Sequence, residues 1–259
     1  MRVIYVIIII VALISFIFYM VYLAHHDTIK CQTIVDNQLP YAFHKFRLFF
    51  ISDIHRRKIS LKTLQSINEK IDIVIIGGDL MEKGVSFERV RENIVKLKQW
   101  KVPVYFIWGN NDYEAHPEDL YDILRDEGVI QLANSAINIK KDNQVMSIAG
   151  LDCCRYSEAR IDMAMNEAEG SYIVLVTHDP SSFYDLNPSS QQQINTVLAG
   201  HTHGGQIRIL GMGMYQKGGL KLYNQTNVLV SEGYGYTRLP LRLETKAECH
   251  VLTFKNYEE

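Results

Sequence analysis

Five short polar clusters in this chain each follow a run of Ile, Val, Leu and aromatic residues, and their side chains are of the kinds that hold cations. The first is Ser52-Asp53-Ile54-His55. If the strand continues, Asp53 and His55 project the same way and offer an oxygen and an imidazole to one ion. The second is Gly77-Gly78-Asp79, where glycines admit close backbone approach and the carboxylate is able to bridge two ions. Gly109-Asn110-Asn111-Asp112 and Thr177-His178-Asp179-Pro180 are the third and fourth. The fifth, Gly200-His201-Thr202-His203-Gly204-Gly205, is the strongest single signal, because its glycines let a tight loop turn both rings into one cavity. Taken singly, D-x-H and G-D are equally the residues of a surface turn, and a lone His is a satisfied polar residue. Their recurrence at five strand ends is what points to a metal site.

Those clusters require strands that end together. The apolar runs 46–52, 72–78, 102–110, 144–150, 171–178 and 195–201 supply strand candidates. Helical segments lie between them. Ser60 caps one with Leu61, Leu64, Ile67 and Ile71 on a face, and Ser86 caps a second that buries Val90, Ile94 and Leu97. Pro117 opens a third around Leu120, Ile123 and Leu124, and a fourth is expected from Ser157 to Glu169, ending at Gly170. The alternation implies an α/β fold with a largely parallel sheet, in which ligands bind at the carboxyl ends of the strands. After Gly204 the texture turns to strands and glycine turns.

In this order the clusters resemble the calcineurin-like metallophosphoesterase family, whose signature runs D-x-H, G-D, G-N-H-[DE], H and G-H-x-H. The likeness covers about 46–254, and GHTHGGQ (200–206) with SEGYGYTRLPLRLETKAE (231–248) is similar to the membrane-anchored bacterial branch. The resemblance implies a four-layer αββα sandwich. It also implies one divalent metal on Asp53, His55, Asp79 and His203, and a second on Asp79, Asn110, His178 and His201, with Asp79 bridging. Mixed carboxylate, amide and imidazole donors suit Mn, Fe or Zn. Two such ions about 3.5–4 Å apart polarise a phosphoryl group and generate hydroxide from water. The third cluster departs from the family, since Asn111 stands where a leaving-group His is usual. An amide donates a hydrogen bond but delivers no proton. Asp112 holds the acidic position, and His116 is the nearest substitute acid. Arg56 and Arg57, directly after His55, are candidates for a substrate phosphate.

From Val3 to Leu23 run 21 residues without a charge. As a helix they extend about 31 Å, the thickness of a bilayer's hydrocarbon core. No A-x-A-like cleavage site follows, so the segment is expected to be an uncleaved single-pass anchor. The expected organisation is an anchor over 1–24, a polar tether with room for one edge strand over 25–45 and a metallophosphoesterase domain over 46–259. The flanking charges favour a short inner end and a catalytic domain outside the cytoplasm.

The 259 residues are 47% hydrophobic and 22% charged, which excludes a disordered or fibrous chain. A net charge of −2, without an aromatic and basic groove, disfavours nucleic acid as a partner. Four cysteines without CxxC spacing exclude a disulfide scaffold. The expected function is dinuclear hydrolysis of a phosphate ester or pyrophosphate on a membrane- or envelope-associated substrate. The alternative is a catalytically weak, metal-dependent phospholigand-binding protein, kept open by Asn111.

Overall fold

The computed structural model describes residues 1–257. Helix α1 (Arg2–His25) leads into strand β1 (Asp27–Val35). Then come β2 (Arg47–Ile51), α2 (Leu61–Gln65), β3 (Ile73–Ile76), α3 (Phe87–Leu97), β4 (Val104–Ile107), α4 (Asn110–Ala115), α5 (Pro117–Asp126) and β5 (Ile130–Leu132). The second half runs β6 (Ser135–Lys141), β7 (Gln144–Gly150), α6 (Ile161–Glu167), β8 (Tyr172–Val176), α7 (Ser181–Tyr184), α8 (Pro188–Gln191) and β9 (Thr196–Ala199). It closes with β10 (Gly219–Tyr223), β11 (Thr226–Val230) and β12 (Ala247–Lys255).

The strands form two six-stranded sheets, ordered β1-β12-β2-β3-β4-β5 and β10-β11-β9-β8-β7-β6. Strands β2 to β5 pair in parallel, as do β7, β8 and β9. Buried on both faces, β2, β3, β8 and β9 are continuous apolar runs, as parallel strands must be. Leu48, Phe50, Ile73, Ile75 and Ile107 of one sheet meet Ile148, Val174, Val176, Leu198 and Leu229 of the other in the central core. Outside the first sheet, Leu64, Val90, Ile94, Leu120 and Leu124 pack against Phe49, Val74 and Phe106. Ala164 and Phe183 cover the outer face of the second. The layers are therefore αββα, as expected.

Three local expectations meet a different outcome. The segment 25–45 carries the edge strand allowed for it but is docked along it: β1 pairs with β12 over nine residues, from Asp27↔Ala247 to Val35↔Lys255, and helix α1 continues to His25. The helix expected from Ser157 begins only at Ile161, because Asn134 holds the preceding stretch as a loop. Its amide donates to Glu158 O and its carbonyl accepts from Arg160 N. The helix capped by Ser60 stops at Gln65, although Ile67 and Ile71 still reach the core.

Candidate metal centre

Asp53 and His55 leave β2, Asp79 leaves β3, Asn110 opens α4 after β4, His178 follows β8, and His201 and His203 follow β9. These strand ends come from both sheets and meet at one edge. Asp53, His55, Asp79, His201 and His203 all adopt positive φ, between 49° and 68°. Non-glycine residues in that region store strain, and several together mark a place where side-chain direction outweighs backbone comfort. Two glycines give way to them. A Cβ at Gly109 would stand 2.2 Å from Asp79 Oδ1, and one at Gly200 would stand 2.4 Å from Asp53 Oδ2.

The side chains gather into two groups, Asp53 with His55 and His203, and Asp79 with His178 and His201, each with donor atoms within 4.8 Å of one another. Asp79 Oδ2 joins them, 3.7 Å from His55 Nε2 and 3.3 Å from His178 Nε2. Within the first group His203 Nε2 lies 3.4 Å from Asp53 Oδ1 and 3.1 Å from His55 Nε2. Within the second, His201 Nδ1 lies 3.2 Å from His178 Nε2. Asn110 Oδ1 is buried and has no hydrogen-bond partner among the described residues.

One acceptor behind a ring selects its tautomer: His178 Nδ1 donates to Gly77 O at 2.9 Å, which leaves a lone pair on the forward Nε2, the arrangement that ligating histidines use. Carboxylates stand behind two other rings as charge partners, Glu82 Oε2 3.1 Å from His55 Nδ1 and Asp179 Oδ2 3.7 Å from His201 Nε2. Facing ring nitrogens at 3.1 and 3.2 Å, beside carboxylates, fit a shared cation far better than they fit one another. The donor set therefore suits divalent metals, with each group able to hold one.

Charge divides the rings. Burial lowers His178 and His55, but Asp79 and Asp53 outweigh it at His178, raising it to about 10, and Glu82 and Asp79 outweigh it at His55, so both places favour positive charge of the kind a divalent ion would supply. Burial alone would raise the Asp79 carboxyl, but His178 and His55 outweigh it and hold it below the ordinary carboxylate range. Burial pushes His203 down to about 3, so its ring is neutral and able to ligate. Burial, with Asp79 beside it, pushes Asp112 up to about 7. Asp112 accepts from the backbone N–H groups of Asp79, Met81 and Gly109 at 2.7 to 3.0 Å, and thus ties two motif loops together.

Asn111 donates twice to Asp79, from its backbone N to Oδ1 at 2.8 Å and from Nδ2 to Oδ2 at 2.7 Å. His116 stands away from the cleft, largely exposed, against Phe87 and 3.9 Å from Asp119. The two arginines after His55 separate. Arg56 lines the cleft and pairs with Glu82. Arg57 is buried, bonded to Tyr234 O, His25 O and Asp27 Oδ1, and does not line the cleft. The cleft in front of the metal-competent groups has a volume of about 900 Å³ and carries Arg56, Lys83, Arg155 and Arg238.

Sequence reasoning named Asp112 but missed three features of the site: Glu82 behind His55, the three backbone donors to Asp112, and the carbonyls that Arg242 holds. Fully buried, Arg242 donates to the carbonyls of Glu232, Gly233 and Gly235. The pattern D-x-x-E at Asp79–Glu82 was a usable sequence signal for the first, since a carboxylate three residues past a ligand loop returns to the same site.

Comparison with known proteins agrees with this geometry. The family model for calcineurin-like phosphoesterases matches residues 46–205. The uncharacterized protein YpbG of Bacillus subtilis is 40% identical over 208 residues, covering 80% of each chain. A zebrafish (Danio rerio) transmembrane protein with a metallophosphoesterase domain is 31% identical over 247 residues, covering 84% of this chain and 55% of its own. The crystal structure of TT1561 from Thermus thermophilus shares the fold with a TM-score of 0.51 at 9% identity, covering 73% of this chain and 89% of that one.

Proposed function

Because the chain belongs to the calcineurin-like phosphoesterase family, we propose that it is a dinuclear metal-dependent phosphohydrolase, acting on a phosphate ester or pyrophosphate at a membrane. The observation that carries the reading is the pair of ring-and-carboxylate groups joined through Asp79 at the floor of one cationic cleft. Asp53, His55, Asp79 and His203 would hold one divalent ion, and Asp79, Asn110, His178 and His201 the other. When bound, such ions polarise phosphoryl oxygens and make water a nucleophile near neutral pH. Manganese, iron and zinc all suit these donors.

The protein's own residues do the rest. Gly77 O fixes the His178 ring, and Glu82 sets its charge behind His55. Asn111 and Asp112 fix the Asp79 loop. Arg56, Arg155 and Arg238 draw an anionic ester into the cleft and orient it. Asn111 steadies charge by hydrogen bonding but leaves the departing oxygen to take its proton from water or another group. Catalysis therefore favours good leaving groups.

Helix α1 serves as the membrane anchor, with residues 46–259 as the metallophosphoesterase domain outside the cytoplasm. A 24-residue helix whose one Lys, Arg, Asp or Glu is Arg2 at its start, with a mean hydropathy of 3.0 over its best window, supports that reading. The anchor raises the local concentration of substrates carried by the membrane or envelope. The test is a metal-dependent assay of the full chain against phosphomonoester, phosphodiester and pyrophosphate panels. Hydrolysis that disappears on chelation and returns with Mn²⁺ supports the reading. A protein that binds both ions and a phosphorylated ligand yet turns nothing over supports the second reading, a phospholigand-binding protein, which Asn111 favours.

A further inference from the structure

Residues 207–215 form an exposed apolar hairpin beside the cleft, and neither metal group uses it. Ile209 and Met212 exchange backbone hydrogen bonds at 2.8 and 3.0 Å, closing a two-residue turn at Leu210-Gly211. Both turn residues have positive φ, 51° at Leu210 and 78° at Gly211. Such a turn prefers Asn or Asp before Gly, so leucine there is retained at a conformational cost. Its side chain is 86% exposed, with Met212 at 71% and Ile209 at 62%.

The hairpin is braced. Arg208, itself buried, donates to Gly204 O at 2.9 Å and Tyr215 O at 2.6 Å, and also bonds Gly211 O. The apolar tip is therefore held outward by a fixed base. Ile207, Met214 and Tyr215 of the hairpin also line the cleft, as does Leu239. The apolar track of the hairpin thus continues into the cleft lining.

The position of this track relative to α1 identifies its partner. Arg208 N donates to Leu243 O, Leu243 N donates to Gln206 O, and Arg242 N donates to Met20 O of the helix. Two backbone ladder steps, about 10 Å, thus separate the hairpin root from a residue inside the apolar span. Met20 and Ala24 are buried against the domain, whereas every residue from Val3 to Tyr19 is exposed. Those 17 exposed residues extend about 26 Å, a few ångströms short of a typical hydrocarbon core. An exposed span of that length would seat the domain's rim, and the hairpin root near Met20, close to the bilayer surface.

We propose that the 207–215 hairpin dips into the lipid bilayer beside α1, so that the cleft mouth opens onto the membrane surface and admits phosphate groups carried by lipids. The proposal rests on α1 spanning the membrane and on the cleft being the phosphoesterase site.

The test is depth-dependent quenching of tryptophan reporters by brominated phosphatidylcholine, with the full chain reconstituted in vesicles. The two native tryptophans, Trp100 and Trp108, set the background. Phe16→Trp reports on the anchor, Leu210→Trp and Met212→Trp on the tip, Leu239→Trp on the opposite rim, and Val95→Trp on the exposed face of α3. Reporter emission is expected to fall by about half at Phe16, Leu210 and Met212, less at Leu239, and not at Val95. Two tip reporters guard against one variant that misfolds. Quenching at Phe16 with none at either tip position overturns the hairpin proposal while leaving the anchor intact. Absence of quenching at Phe16 overturns the anchor reading and the proposal with it. Neither outcome depends on turnover, so a failed phosphoesterase reading is recognised separately, by the ester panel.

Discussion

Glu82→Gln isolates the support behind one metal ligand. Glu82 is nearly buried and sets Oε2 3.1 Å from His55 Nδ1, while Arg56 takes its other oxygen. The substitution keeps the shape but removes the negative charge that faces Nδ1 and strengthens Nε2 as a donor. Outer carboxylates of this kind typically contribute 10- to 100-fold to metal affinity, or about 1.4–2.8 kcal/mol. The effect should be lopsided. His178 donates to Gly77 O and His201 stands 3.7 Å from Asp179, and neither contact involves Glu82. Calorimetric titration of metal-stripped full chain with Mn²⁺, in detergent, should resolve two binding steps in the wild type. The variant should weaken one of them by at least about tenfold and leave the other within about threefold. Glu92→Gln, which removes an exposed partner of Lys58, is the matched control and should leave both steps unchanged. Equal weakening of both steps would show that Glu82 acts on the whole site through charge. No change at all would remove it from the site.

Asn111→His should speed hydrolysis of alkyl phosphate esters by up to roughly 10²-fold and barely alter aryl esters, because only the former need a proton delivered. Steady-state rates on a matched alkyl and aryl pair check this, and equal acceleration of both would refute it. Gly109→Ala forces a Cβ to within 2.2 Å of Asp79 Oδ1. It should cost about 1–3 kcal/mol of stability and reduce metal loading together, as read by thermal melts and metal analysis. At Glu248, burial raises the carboxyl, but His250 and the backbone N–H of Glu232 outweigh it and set it below its ordinary 4.5. Its stabilisation is thus complete above that value and lost as pH falls through the lowered one. The melting-temperature gap between wild type and Glu248→Gln should be constant near neutrality and shrink below about pH 4.5, whereas a gap that widens in acid would contradict the assignment.

The site was legible because chemistry-bearing residues stand at the ends of apolar runs, and parallel strands put those ends on one edge. Asp53, His55, Asp79, His178, His201 and His203 stand together for that reason. Residues that act through contact alone were not legible. Glu82 meets His55 from another loop, and Arg242 reaches its carbonyls from inside a segment that also touches α1. An edge strand before residue 46 was allowed for, but the nine-residue extent of β1 was not legible, because its partner β12 lies some 220 residues later. Local pattern carries no information about such pairing. Arg56 and Arg57 are neighbours with opposite fates, one in the cleft and one buried under the anchor, and no sequence rule separates them.

The bridging place of Asp79 is tested most directly by counting divalent ions on purified full-length protein by plasma mass spectrometry. Wild type should hold about two ions per chain and Asp79→Asn about one or fewer, because the carboxylate that reaches both groups is gone. Two tightly held ions on the Asp79→Asn protein would contradict the dinuclear assignment.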